Sequence, residues 1–94
     1  MEPEFAQDTA IAALAYIAGQ PELLNRFLAL TGIEASAIRS AALEPGFLAG
    51  VLNFVLAHEP TLLAFAEHAG LKPEQVGRAL RSLPSGDDSF DQSI

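Results

Sequence analysis

The chain contains no cysteine in its 94 residues. This absence excludes a disulfide-stapled scaffold, a zinc site built on cysteine and a thiol nucleophile, and it fits a reducing compartment. Half of the residues are apolar, and the mean hydropathy is +0.27. A chain of this length and composition has enough apolar material to bury a core. The composition therefore predicts one folded domain.

Basic residues are also few, since five Lys and Arg stand against twelve Asp and Glu, for a formal net charge of −7. The acidic residues outside the nearly neutral body lie near the two ends: Glu2, Glu4, Asp8, Asp87, Asp88 and Asp91. A chain of this charge is repelled by phosphate backbones. Nucleic acid is therefore not the expected partner.

The chain also lacks a long hydrophobic run. Its most apolar stretch, residues 47–57, is well short of the roughly 20 residues that cross a bilayer. The acidic start has none of the Lys or Arg typical of a secretory or transit peptide. These absences predict a cytoplasmic protein without a membrane segment.

No catalytic or cofactor signature is present, neither a glycine-rich phosphate loop nor a G-x-S-x-G elbow. Ser36, Ser40 and Ser82 lie in predicted helices without the adjacent base that an activated nucleophile needs. His58 and His68 are each expected near a helix C-terminus, where an imidazole interacts favourably with the helix dipole. A metal site would need further ligands that the sequence does not place nearby. We therefore predict no enzyme activity, no cofactor and no metal.

What the chain does contain is Ala and Leu in helical patterns, punctuated by Pro and Gly. The first helix is predicted to follow Asp8 as N-cap and to bury Ile11, Leu14, Ala15 and Ala18. Five further helices are expected at about 21–31, 35–43, 46–57, 59–69 and 73–83. The helix at 46–57 is apolar nearly all round and should lie at the centre. The prediction is an all-α bundle of five or six short helices over residues 1–83.

Two stretches of the chain resemble each other at an offset of 38 residues. The matching positions in the first copy are Leu14, Tyr16, Ile17, Leu24, Phe27, Gly32, Ile33, Ile38 and Ala41. Each copy has the pattern of a helix followed by a helix-Gly-helix corner, which predicts an internal pseudo-repeat. All of the repeated positions are core or turn residues, so the repeat predicts fold and not function.

The second corner, residues 61–82, carries the pattern A-x-x-x-G-L-x-x-x-x-V. This pattern resembles the helix-turn-helix of DNA-binding repressors, in which glycine permits the turn and a small residue permits close approach. Lys72, Arg78 and Arg81 would then contact nucleic acid. Glu74 in the first turn and the acidic balance of the chain argue against this role. Helix-turn-helix nucleic-acid binding is therefore kept as the alternative function.

The C-terminal segment, residues 84–94, is polar and acidic and is predicted to be a flexible tail. It contains two apolar residues, Phe90 and Ile94, that suit docking on a partner or on the chain's own domain. The leading prediction is a protein-interaction domain without enzyme activity, whose surface groove binds a helix of an unidentified partner protein.

A third class of function, binding of a small apolar ligand, would use a cavity near Phe27, Phe54 and Phe65. Protein interiors are close-packed. A cavity at these three core positions is therefore not expected.

A family resemblance rests on four segments: FLALTGI at 27–33, PGFLA at 45–49, VLNFVL at 51–56 and LAFAEHAGL at 63–71. Together they resemble short proteins of the bacterial family labelled domain of unknown function 3572, over about residues 8–82. The resemblance implies a small helical protein, mainly from alphaproteobacteria, with no assigned activity and no catalytic residues to carry over. The acidic tail lies outside it.

Overall fold

A computed structural model of the chain describes residues 3–44 and 46–83. Within these residues the backbone forms six α-helices and one 3-10 turn. The helices are α1 (Pro3–Ala18), α2 (Pro21–Thr31), α3 (Ile38–Ala41), α4 (Phe47–Leu56), α5 (Glu59–Ala69) and α6 (Pro73–Arg81). The predicted all-α bundle is therefore confirmed. The predicted tail, with Phe90 and Ile94, lies outside the described residues.

Helix α4 lies at the centre of the bundle, as its sequence predicts. It packs against α1, α5 and α6, and Val51, Leu52 and Val55 have no exposed surface. A helix that is apolar on every side needs neighbours on every side. No helix within the described residues is long and apolar enough to span a membrane alone, and α4 and α5 reach that length only as a pair bent by 110°.

Helix α1 begins at Pro3, so the prediction that Asp8 caps its start is wrong. Proline suits the first turn of a helix, where its missing N–H would have no partner. Asp8 is exposed within the helix, and the next residue, Thr9, is buried and donates its hydroxyl to the Phe5 carbonyl at 2.8 Å. Asp is a favoured N-cap residue, but at position 8 it does not mark the helix start because residues 3–7 are already helical.

The buried face of α1 also differs from the prediction. Leu14 is half-buried, whereas Ala15 and Ala18 are exposed and Ile11 is 54% exposed. The fully buried positions are Ala6, Ala10, Ala13 and Ile17. Because the sequence of α1 is apolar on nearly every side, its helical period does not select one face. Because alanine side chains are small, this face lets α4 and α6 lie close to α1 and pack at the density usual in protein interiors.

The ends of α2 and α5 are where proline and glycine predict them. Pro21 and Pro60 lie in the first turns. Gly32 and Gly70 follow the last residues with φ of 75° and 72°, a left-handed conformation that disfavours any side chain. At Gly70 the cap is a full Schellman motif, because the Leu71 N–H also donates to the Ala66 carbonyl at 2.8 Å.

The two corners extend differently beyond these glycines. The bounds of α2 and α5 correspond at the 38-residue offset, but the predicted third helix is a 3-10 turn, Ala35–Ala37, followed by the four-residue α3. Neither segment has a fully buried residue, so it lacks the packing that sustains most protein helices. The counterpart, α6, is a nine-residue helix. The repeat of whole halves therefore stays a prediction.

Two alanine substitutions in the second corner are expected to act in opposite directions. Gly70→Ala should lower the free energy of unfolding by about 1 kcal/mol, because alanine is disfavoured at positive φ. Gly77→Ala should raise it by about 0.5–1 kcal/mol, because glycine weakens a helix interior. A Cβ at Gly77 meets only Arg81 Nη1, at 3.6 Å. Urea unfolding followed by circular dichroism measures both, and changes of the same sign would contradict this account.

Candidate partner-binding groove

An open apolar groove lies between the C-terminal half of α2, α3 and the first turns of α4. Its volume is about 410 Å³. The residues that line it are Phe27, Thr31, Ile33, Ala41, Glu44, Gly46, Phe47 and Gly50. A concave, mostly apolar site of this size falls within the range of natural ligand pockets.

Two glycines, one just before α4 and one within it, line this groove. Gly46, with φ of 86°, is the N-cap of α4, and Gly50 lies one turn further along the same side. No heavy atom lies within 4 Å of the place where a Cβ on Gly50 would stand. The G-x-x-x-G spacing therefore leaves bare backbone in the groove. This was the local signal in the sequence for these residues, which sequence reasoning did not assign to a site.

Aromatic side chains form one wall of the groove. The Phe27 ring meets the Phe47 ring edge-on, with centroids 6.1 Å apart. On its other side Phe27 meets the Phe54 ring, also edge-on, at 5.4 Å, and the Arg26 guanidinium lies 5.2 Å from the centroid of Phe54. Such pairs hold side chains in fixed geometry. The wall is thus continuous with the hydrophobic core.

The polar part of the groove consists of one carboxylate, one hydroxyl and the ends of three helices. Glu44 is the one residue with a formal charge among the described lining residues, and α2 and α3 end at the lining residues Thr31 and Ala41. Helix C-termini carry partial negative charge and helix N-termini carry partial positive charge, so the start of α4 at Gly46 opposes the ends of α2 and α3. The Thr31 hydroxyl donates to the Phe27 carbonyl at 2.8 Å. At the start of α4, the Phe47 N–H donates to the Glu44 carbonyl at 3.1 Å.

Two leucines next to the groove are unusually exposed. Leu30 is 71% exposed and Leu43 is 86% exposed. Each is the chain neighbour of a lining residue, Thr31 and Glu44 respectively. Single exposed leucines need no explanation, but apolar residues beside an apolar groove enlarge the surface that a partner can cover.

The basic residues of the helix-turn-helix prediction lie elsewhere, at α6. Lys72 is its N-cap, Arg78 and Arg81 lie in its last turns, and all three are exposed. The helical spacing of Glu74, Arg78 and Arg81 puts an acidic residue on the same side as the two arginines. The Lys72 N–H donates to Gln75 Oε1 at 2.9 Å, which closes the turn before the helix.

The other side of α6 is buried. Val76 and Ala79 have no exposed surface, and α6 packs against α1, α4 and α5. The helix-Gly-helix corner therefore exists, with its basic residues facing outward. Whether they contact nucleic acid stays a prediction.

The two histidines have separate surroundings. His58 follows α4 and is also the N-cap of α5, with its Nδ1 2.7 Å from the hydroxyl oxygen of the buried Thr61. His68 lies in the last turn of α5, as predicted, and its ring centroid is 5.1 Å from that of Tyr16. Within residues 3–44 and 46–83, no group of three or more His, Cys, Asp or Glu residues is placed to hold a metal ion.

These features define a small all-α domain with an apolar groove on one side and exposed basic residues on its last helix. A family model described as "Protein of unknown function (DUF3572)" matches residues 3–86, so the chain belongs to that family. The resemblance carried by the apolar and turn residues is thereby confirmed. Searches of curated proteins and of solved structures find no match.

Proposed function

We propose that the chain is a cytoplasmic protein-interaction domain without enzyme activity, and that its α2–α3–α4 groove binds an apolar segment of another protein. The observation that carries this proposal is the open apolar groove itself, about 410 Å³ in volume. Its lining residues Thr31 and Glu44 are the chain neighbours of Leu30 and Leu43, which leave most of their surfaces exposed. Partner helices commonly dock their apolar face in grooves of this kind.

The residues of the groove suit partner binding better than catalysis. Among the described residues that line the groove, the one titratable side chain is that of Glu44, and the one hydroxyl, on Thr31, already donates to a backbone carbonyl. A hydrolytic site needs a nucleophile beside a base that a third group orients. Phe27 and Phe47 are largely covered already, at 1% and 9% exposed. The apolar surface that a partner can still bury belongs to residues such as the half-buried Ile33 and the exposed Leu43.

The other two predicted functions have weaker support. Binding of a small apolar ligand would require a cavity near Phe27, Phe54 and Phe65, which was not expected, and of these three only Phe27 lines the groove. Phe65 is fully buried and packs on Tyr16, with ring centroids 5.8 Å apart. Nucleic-acid binding depends on Lys72, Arg78 and Arg81, which are exposed at α6 and share that side of the helix with the acidic Glu74.

Filling the groove is expected to abolish partner binding without harming the fold. In Gly50→Leu the new side chain would extend into the groove, and replacement of a glycine inside a helix should stabilise α4 by about 0.5–1 kcal/mol. Wild-type protein, used as bait in a lysate of its native host, should retain a stoichiometric partner that Gly50→Leu does not retain. Cross-linking should join that partner to the residues beside the groove.

Ala64→Leu is the matched control, because Ala64 is exposed on α5. This variant should retain the partner as the wild type does, and thermal melts of all three proteins should show that none is unfolded. Equal retention by Gly50→Leu, or the absence of any stoichiometric partner, would contradict the proposal.

A further inference from the structure

The charged groups around the groove indicate which kind of partner segment it binds. Between Phe27 and Leu56 the chain has three charged residues, Glu34, Arg39 and Glu44, and of these only Glu44 lines the groove. The C-terminus of α2 adds partial negative charge at Thr31, and the N-terminus of α4 adds partial positive charge at Gly46. The groove thus combines an apolar wall with one formal negative charge, on Glu44.

Resting on the proposed function, we propose that the occupant is an amphipathic helix of a partner protein that carries apolar anchors and a neighbouring Lys or Arg. The apolar anchors pack against the half-buried Ile33 and Ala41, over the bare backbone at Gly50. The cation lies beside the Glu44 carboxylate. Electrostatic complementarity of this kind selects partners and sets the register of binding.

The few polar groups in the groove favour a helix over an extended peptide. An extended segment needs hydrogen bonds for its backbone N–H and C=O groups, which in peptide recognition come from the edge of a sheet. The described residues contain no strand, and the groove's hydroxyl is already engaged. A helix satisfies its own backbone, so its burial leaves no unpaired polar groups.

The same charges disfavour a second copy of this chain as the occupant. A twofold contact through the groove would bring the two copies of this surface together, including both Glu44 carboxylates. Like charges in contact oppose association, and each chain carries a formal net charge of −7. A partner segment that carries Lys or Arg avoids both the contact between Glu44 carboxylates and the repulsion between two acidic chains.

Designed peptides test the inference directly. Two helical peptides of about 15 residues present leucines at i, i+4 and differ at one adjacent position, Lys in one and Glu in the other. Amide shifts of labelled protein should map both to Phe47 and Gly50. At low salt the Lys peptide should bind about 3- to 10-fold more tightly. In Glu44→Gln the difference between the peptides should fall below about twofold, and high salt should also reduce it.

The possible results distinguish the preference for a cationic partner from the groove's role as a binding site. Equal affinities that Glu44→Gln does not change, with binding still abolished by Gly50→Leu, would overturn the cationic preference and leave the groove as a binding site. If neither peptide shifts Phe47 or Gly50, both the inference and the groove's proposed role fail. Self-association of the protein in sedimentation, lost in Gly50→Leu, would identify a second copy as the occupant and overturn the inference.

Discussion

Replacement of Phe65 by alanine is expected to lower the free energy of unfolding by about 3–5 kcal/mol. Phe65 has no exposed surface and packs in tilted geometry on Tyr16, so its removal leaves a cavity that the close-packed core cannot fully close. A domain of this size has roughly 5–14 kcal/mol of stability in total. Phe65→Ala should therefore be largely unfolded in mild urea, as measured by circular dichroism.

Leu63→Ala is the matched control on the same helix. Leu63 is 50% exposed, so its truncation removes less buried surface and should reduce stability by about 1 kcal/mol or less. Similar losses in the two variants would contradict the burial that the structure assigns to α5. A loss below about 1 kcal/mol for Phe65→Ala would contradict it as well.

Much of the fold could be predicted because its helix ends depend on local chemistry. Pro21 and Gly32 bound α2 through their own backbone preferences, and Pro60 and Gly70 act in the same way at α5. The central position of α4 follows from its apolar residues on all sides, since no other location would cover them. These inferences need only residues close together in the sequence.

Features that depend on distant residues could not be predicted in this way. The first helix was placed too late and on the wrong face, because an apolar sequence leaves the choice of face to whichever helices pack on it. The groove depends on three helices meeting around Gly46 and Gly50. The spacing of that glycine pair alone does not reveal which helices meet around it.

A comparison of positions related by the 38-residue offset suggests why the groove lies where it does. Ala41, at the end of the four-residue α3, lines the groove, whereas its counterpart Ala79 is fully buried. The longer α6 packs against α1 and α4. The exposed apolar surface therefore occurs where the third segment of the chain's first half is too short to cover it.

Replacement of Ala13 by leucine is expected to lower the free energy of unfolding by about 2–3 kcal/mol. Ala13 has no exposed surface, and α1 packs on both α4 and α6. A larger side chain there must push these helices apart or adopt a strained rotamer, which costs about 1–3 kcal/mol and occasionally more. Urea unfolding measures the loss, and a weakened contact between α1 and α4 should also increase amide exchange at Leu52.

Ala15→Leu, two residues along the same helix, is the decisive comparison. Ala15 is exposed, and leucine has nearly the helix propensity of alanine, so this change should alter stability by less than about 0.5 kcal/mol. The helical pattern of the sequence had predicted that Ala15 faces the core. A large loss in Ala15→Leu with none in Ala13→Leu would therefore restore that prediction and reject the packing of α1. The opposite result would show that the stripe of Ala6, Ala10 and Ala13 is what holds this helix against α4 and α6.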